Sequence, residues 1–116
     1  MSRARSSAAK RPRLGDSAPI FAALADETRL GLIARLCTDG PSSIARLAAG
    51  AAVTRQAITK HLHVMEEAGL VQARRHGRES VWALEPRRLE QARRCLDAIS
   101  EQWDDALARL KTFVER

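Results

Sequence analysis

The stretch that decides the fold is Val53-Thr54-Arg55-Gln56-Ala57-Ile58-Thr59-Lys60-His61-Leu62-His63-Val64-Met65-Glu66-Glu67-Ala68-Gly69-Leu70-Val71. Ile58, Leu62 and Met65 fall at i, i+4 and i+7, which puts three apolar side chains on one face of a helix. Thr54 stands where a hydroxyl can accept from the orphan N–H groups of a first turn, and Gly69 where the helix stops. The predicted helix runs from Thr54 to about Ala68. Opposite its apolar stripe lie Arg55, Gln56, Thr59, Lys60 and His63, with no acid before Glu66. An exposed face of donors and neutral groups suits the major groove of DNA. Arg and Lys can donate to guanine O6 and N7, and Gln can pair with adenine. An ordinary solvated polar face is the alternative, and the missing acids argue against it.

Upstream, Gly50-Ala51-Ala52-Val53 makes a compact turn of small residues, and before it Ile44, Leu47 and Ala48 fit the inward side of a short helix capped by Ser42 or Ser43. Two helices joined by a short, Gly-containing turn form a helix-turn-helix. Further back, Asp39-Gly40-Pro41 ends a helix that Asp26 caps and that carries Leu30, Ile33 and Leu36 inward. A first short helix covers Ala18 to Leu24, with Ile20, Phe21 and Leu24 on one side.

Downstream the period changes. Leu70 to Arg75 and Glu79 to Leu84 are β-compatible runs around His76-Gly77-Arg78, where Gly77 supplies a hairpin turn. A hairpin directly after a helix-turn-helix is a wing, and Arg74, Arg75 and Arg78 cluster at its tip to meet phosphates or a narrow minor groove. Pro86 then opens a last helix that runs to the end of the chain. Leu89, Ala92, Leu96, Ile99, Trp103, Ala106, Leu110 and Phe113 recur alternately three and four apart along it. Spacing of that kind is a seam for another helix, and a second copy of the chain is the expected occupant. The expected dimer face is Ile20, Phe21, Leu24, Leu89, Leu96, Ile99, Trp103 and Leu110. The fold class is thus mainly α with a small β-hairpin wing: a winged helix-turn-helix with a helical dimer interface. Its expected divisions are a disordered basic tail over 1–15, a DNA-binding domain over 16–85 and a dimerisation helix over 86–116.

Composition agrees with this outline and narrows the function. The 116 residues are 45 % hydrophobic but only 3 % aromatic, with no Tyr, so the core must be built from aliphatic side chains that suit helices. The net charge is +6, which attracts polyanions. Arg3, Arg5, Lys10, Arg11 and Arg13 carry much of it, and beyond Leu14 the charges nearly balance. That first segment reads as a tail, with a phosphate-gripping arm as its alternative role. No apolar run approaches the roughly 20 residues needed to cross a bilayer, and no signal peptide is evident, so a cytoplasmic protein is expected. Nothing resembles a nucleophile with a positioned base, paired carboxylates in a cleft or a Gly-rich phosphate loop, so an enzyme is not expected.

The chain resembles the ArsR family of winged helix-turn-helix repressors. The resemblance rests on Ala25-Asp26-Glu27-Thr28-Arg29-Leu30, on the whole Val53-to-Val71 stretch, and on Gly77-Arg78-Glu79 with Trp82-Ala83-Leu84; it covers roughly Ala18 to Leu84. It implies a homodimer held by the first and last helices, with the fourth helices in successive major grooves of a pseudo-palindromic operator. The family's DNA contacts would fall on Arg55, Gln56, Thr59, Lys60 and His61, with Arg78 in the wing. Repression and release by an inducer would follow. His61 either donates to a phosphate or sits satisfied at the helix flank.

Departures from the family pattern bear on the signal. Ile44-Ala45-Arg46-Leu47-Ala48 stands where the family's thiolate metal site has a Cys-x-Cys pair, and no His follows His76 to serve the site on the last helix. Thiolate and imidazole are the ligands that zinc, arsenic or copper need, so no metal and no other cofactor is expected. A redox pair of Cys37 and Cys95 is a further alternative, but the sensing positions would align nearer Ala34 and Glu101, and both cysteines read as structural and buried. Trp82 and Trp103 read as core or seam residues; Trp103 is the one suited to line an inducer cavity. The leading expectation is therefore a sequence-specific, metal-independent repressor of double-stranded DNA. A basic module that binds nucleic acid without reading sequence, or that binds protein, is the alternative.

Overall fold

The computed structural model describes residues 14–115. Among them the elements follow as α1 (Leu14–Leu24), α2 (Glu27–Asp39), β1 (Ser42–Ser43), α3 (Ile44–Ala48), α4 (Arg55–Glu67), β2 (Val71–His76), β3 (Glu79–Leu84) and α5 (Pro86–Glu115). The tail expected over 1–15 lies outside the described residues as far as 13. Leu14 and Gly15 already belong to α1, about a turn before the expected start at Ala18. Pro19 lies inside this helix, past its first turn, where a proline forgoes one backbone hydrogen bond.

The caps read from the sequence are in place. The Asp26 carboxylate accepts from the Arg29 N–H at 3.0 Å, Ser43 Oγ from the Arg46 N–H at 3.1 Å and Thr54 Oγ1 from the Ala57 N–H at 3.1 Å. Each hydroxyl or carboxylate satisfies one orphan donor of the helix it opens. At the other end of α3, the Arg35 guanidinium donates to the Leu47 and Arg46 carbonyls at 2.9 and 3.1 Å, locking α2 onto the helix-turn-helix.

In α2 the inward face is Leu32, Ile33 and Leu36, while Leu30 is 52 % exposed. The expected Leu30–Ile33–Leu36 stripe is corrected because three-residue steps drift around a 3.6-residue helix and carry Leu30 off the face. Ile58, Leu62 and Met65 of α4 are completely buried, as their four- and three-residue spacing requires. They meet Ile20, Leu36, Leu47, Leu70 and Trp82 in one core. Ile20 is therefore a correction as well: it is fully buried within the protomer and cannot face a partner.

The wing is an antiparallel hairpin with His76 opposite Glu79, so its loop is only Gly77-Arg78. Gly77 has φ +66° and no other residue type in the described chain takes a positive φ, the pattern of a type II′ turn with glycine first. One strand was not foreseen. Ser42 and Ser43 pair with Trp82 and Val81, making a three-stranded sheet of order β1-β3-β2. This pairing stitches the start of the helix-turn-helix to the wing. Gly69, φ +80°, turns the chain out of α4; a Cβ there would stand 2.8 Å from Arg88 Nε, so the glycine also lets α5 begin against the end of α4.

At 1.5 Å per residue, the 30 residues of α5 extend about 45 Å. Its first third packs on the protomer through Ala92 and Cys95, with Leu89 half-buried. From Leu96 onward no residue is buried. The cysteines divide: Cys95 is buried as expected, whereas Cys37 is exposed on α2, on the same outward side as Leu30, and the expectation of a buried Cys37 is corrected. No helix among the described residues is long and apolar enough to cross a membrane.

Candidate nucleic-acid interface

The site begins with the Thr54 cap. It starts α4 as an ordered helix whose first turn holds no acid, so the positive end of the helix is uncompensated by its own side chains. Because Ile58, Leu62 and Met65 are drawn into the core, Arg55, Gln56 and Lys60 are turned to solvent. In the wing, Arg74, Arg75 and Arg78 are exposed too. No ion pair among the described residues engages Arg55, Lys60, Arg74, Arg75 or Arg78, although Glu79 lies at the wing tip. A set of cations on a recognition helix and a wing, none of them neutralised, is the arrangement that attracts phosphates and can reach base edges.

The remaining three sequence candidates are placed differently. Thr59 is half-buried, and its hydroxyl donates back to the Arg55 carbonyl at 2.8 Å, so its proton is committed within the helix. His63 stands edge-on to Trp82, with ring centroids 5.5 Å apart and an interplanar angle of 83°, and its Nδ1 is 3.1 Å from the Glu66 carboxylate. It therefore lies at the root of the wing. His61 is turned toward α2, its Nδ1 3.1 Å from an Arg29 Nη and 3.9 Å from the Asp26 carboxylate. Its Nδ1 is thus engaged at the helix flank.

Arg29 is the residue that the sequence reading missed. Its Nε donates to the Ala23 carbonyl in the last turn of α1, while its Nη1 reaches His61. The signal available was an arginine three residues after a capping Asp, which reads equally well as a solvated charge. Around it, the Arg29 N–H that Asp26 accepts holds that carboxyl below its ordinary value and outweighs the desolvation that opposes it, with the Arg29 guanidinium, His61 when it is protonated and the Thr28 N–H adding to the effect.

Comparison with known proteins places this geometry. A helix-turn-helix domain family matches residues 24–72. The HTH-type transcriptional regulator Rv2034 of Mycobacterium tuberculosis is 39 % identical over 93 residues, covering 80 % of this chain and 83 % of that protein. The structure of an ArsR-like transcriptional regulator from Rhodococcus sp. RHA1 superposes with a TM-score of 0.72 at 36 % identity, covering 86 % of this chain and 93 % of the other. The chain belongs to the ArsR family. It is accordingly a DNA-binding transcriptional regulator of the ArsR winged helix-turn-helix type and not an enzyme. A more distant ArsR-type structure is the winged helix-turn-helix DNA-binding domain Mb0332 from Mycobacterium bovis, which is homodimeric; it has a TM-score of 0.58 at 25 % identity, with 79 % of this chain and 81 % of that one covered.

Proposed function

We propose that this ArsR-type protein is a sequence-specific, metal-independent repressor that binds a pseudo-palindromic operator as a homodimer and is released by an inducer. The observation that carries the reading is the open donor set Arg55, Gln56 and Lys60 on the first two turns of α4, flanked by the wing arginines. Arg55 and Gln56 read base edges, Lys60 and Arg74, Arg75 and Arg78 hold phosphates or a minor groove, and Thr59 contributes its methyl and remaining lone pairs.

The homodimer is supported by the exposed apolar side of α5. Leu96, Ile99, Trp103, Leu107 and Leu110 are each 40–65 % exposed, in a stripe at three- and four-residue intervals. A contiguous apolar surface of this kind marks an interface, and a C2 partner covers it with the same surface. Phe21, Leu24 and Leu89, half-buried at the root of α5, extend the seam toward α1. In this division of labour 16–85 reads DNA and 86–116 joins the subunits. Metal independence is supported by the residues at the family's ligand positions, Ile44 to Ala48 in place of a thiolate pair.

The test is selection of bound duplexes from a random pool, followed by fluorescence anisotropy against a scrambled duplex at physiological salt. A preference of about a thousandfold is expected of a sequence reader. Equal binding to both would leave a basic module that holds DNA by charge alone.

A further inference from the structure

Arg29 and His61 join three helices through one guanidinium. Arg29 is on α2, His61 on α4, and the Ala23 carbonyl closes α1. A guanidinium has donors only, so the contact at 3.1 Å requires His61 Nδ1 to be the acceptor and places the imidazole proton on Nε2. The Asp26 carboxylate holds the Arg29 backbone at 3.0 Å and lies 3.9 Å from the same Nδ1, so the arginine is fixed at its root as well as at its head. The fork is a rigid spacer, which a lysine at this position would not be. α4 is otherwise attached to α2 by non-directional apolar packing through Leu36, Ile58 and Leu62.

We infer that Arg29 and His61 are positioning residues that set the pose of α4 against the α1–α2 corner, so that His61 serves DNA reading without touching DNA. The inference rests on the sequence-reading function proposed above and names the device that orients it. The link also reaches α1, whose Phe21 and Leu24 belong to the proposed subunit seam.

Two isosteres separate positioning from direct contact. In Asn the side-chain oxygen can replace the accepting Nδ1, and in Gln the side-chain amide N–H can replace the donating Nε2–H. His61→Ala and Arg29→Met should each lower the ratio of affinity for the selected duplex to that for the scrambled one by roughly tenfold, and the double variant by no more than either alone. His61→Asn should restore most of the ratio and His61→Gln little of it. Rescue by Gln and not Asn, additive losses in the double variant, or an equal loss on both duplexes would overturn the assignment.

A second readout uses the free protein and no DNA. Heteronuclear NMR of the imidazole nitrogens should find His61 in the Nε2–H tautomer near neutral pH with its Nδ1 resonance displaced by the Arg29 hydrogen bond, and Arg29→Met should move that Nδ1 resonance toward the value of a free ring while leaving His63 unchanged. An Nδ1–H tautomer in the wild type would overturn the link. If the wild type selects no sequence, the proposed function fails on its own account and the response of the His61 Nδ1 resonance to Arg29→Met still decides whether the link exists.

Discussion

In α4 the apolar stripe Ile58, Leu62 and Met65 is completely buried and the polar face is open; in the distal part of α5 the apolar stripe from Leu96 to Leu110 is itself open. Both helices are amphipathic with nearly the same spacing of apolar residues. The protomer buries the whole Ile58–Leu62–Met65 stripe of α4 and leaves the stripe of distal α5 uncovered. What remains exposed then indicates the partner. Uncommitted donors on α4 fit a polyanion with ordered acceptors, and uncommitted leucines and a tryptophan on α5 fit another apolar helix.

The sharpest way to break this contrast is to change one residue in each stripe. Leu62→Ala should cost about 2–5 kcal/mol of protomer stability, measured by denaturant unfolding, because it opens a cavity in a close-packed core. Trp103→Glu should leave the protomer folded by circular dichroism and disperse the dimer in sedimentation. A Trp103→Glu protein that stays dimeric would remove α5 from the seam.

A smaller effect sharpens the α4 side. Arg55→Ala or Gln56→Ala should lose about 1–3 kcal/mol of discrimination between the selected and scrambled duplexes, measured by anisotropy. Equal losses on both would reduce these residues to charge and bulk. Smaller again is the cap that starts the helix: Thr54→Ala should cost about 0.5–2 kcal/mol of stability.

At the start of α2 the same kind of cap carries a charge, and its signature is acid dependence. The Asp26 carboxyl is held below its ordinary value first by the Arg29 N–H. A group lowered in this way stabilises the fold fully above its unfolded value, and that contribution is lost as pH falls through the folded one. Asp26→Ala should therefore lower the melting temperature at neutral pH, with the difference from wild type closing in acid. A difference independent of pH would contradict the capping interaction.

What was legible in the sequence was local. Thr54, Asp26 and Ser43 cap helices through groups three residues away, and Gly77 makes its turn from its own φ, so short windows are enough. The face of α4 was legible for the same reason, since Ile58, Leu62 and Met65 orient Arg55, Gln56 and Lys60 by helix geometry alone. The misplaced residues depend on what lies far along the chain. Ser42 and Ser43 become a strand only because Val81 and Trp82 present an edge to them. Ile20 is taken up by the protomer's core because α1, α2 and α4 converge on it. His61 is one position from Lys60 yet turns to a different neighbour, and only the packing of α2 on α4 supplies the Arg29 that receives it.

The central claim is that α5 pairs two protomers so that two copies of α4 read one duplex. A hydroxyl-radical footprint of the wild-type protein on its selected duplex tests this most directly. Two protected half-sites are expected, related by two-fold symmetry and centred about 10–10.5 base pairs apart or a multiple of that. A single protected patch at saturation, or uniform protection without symmetry, would contradict it.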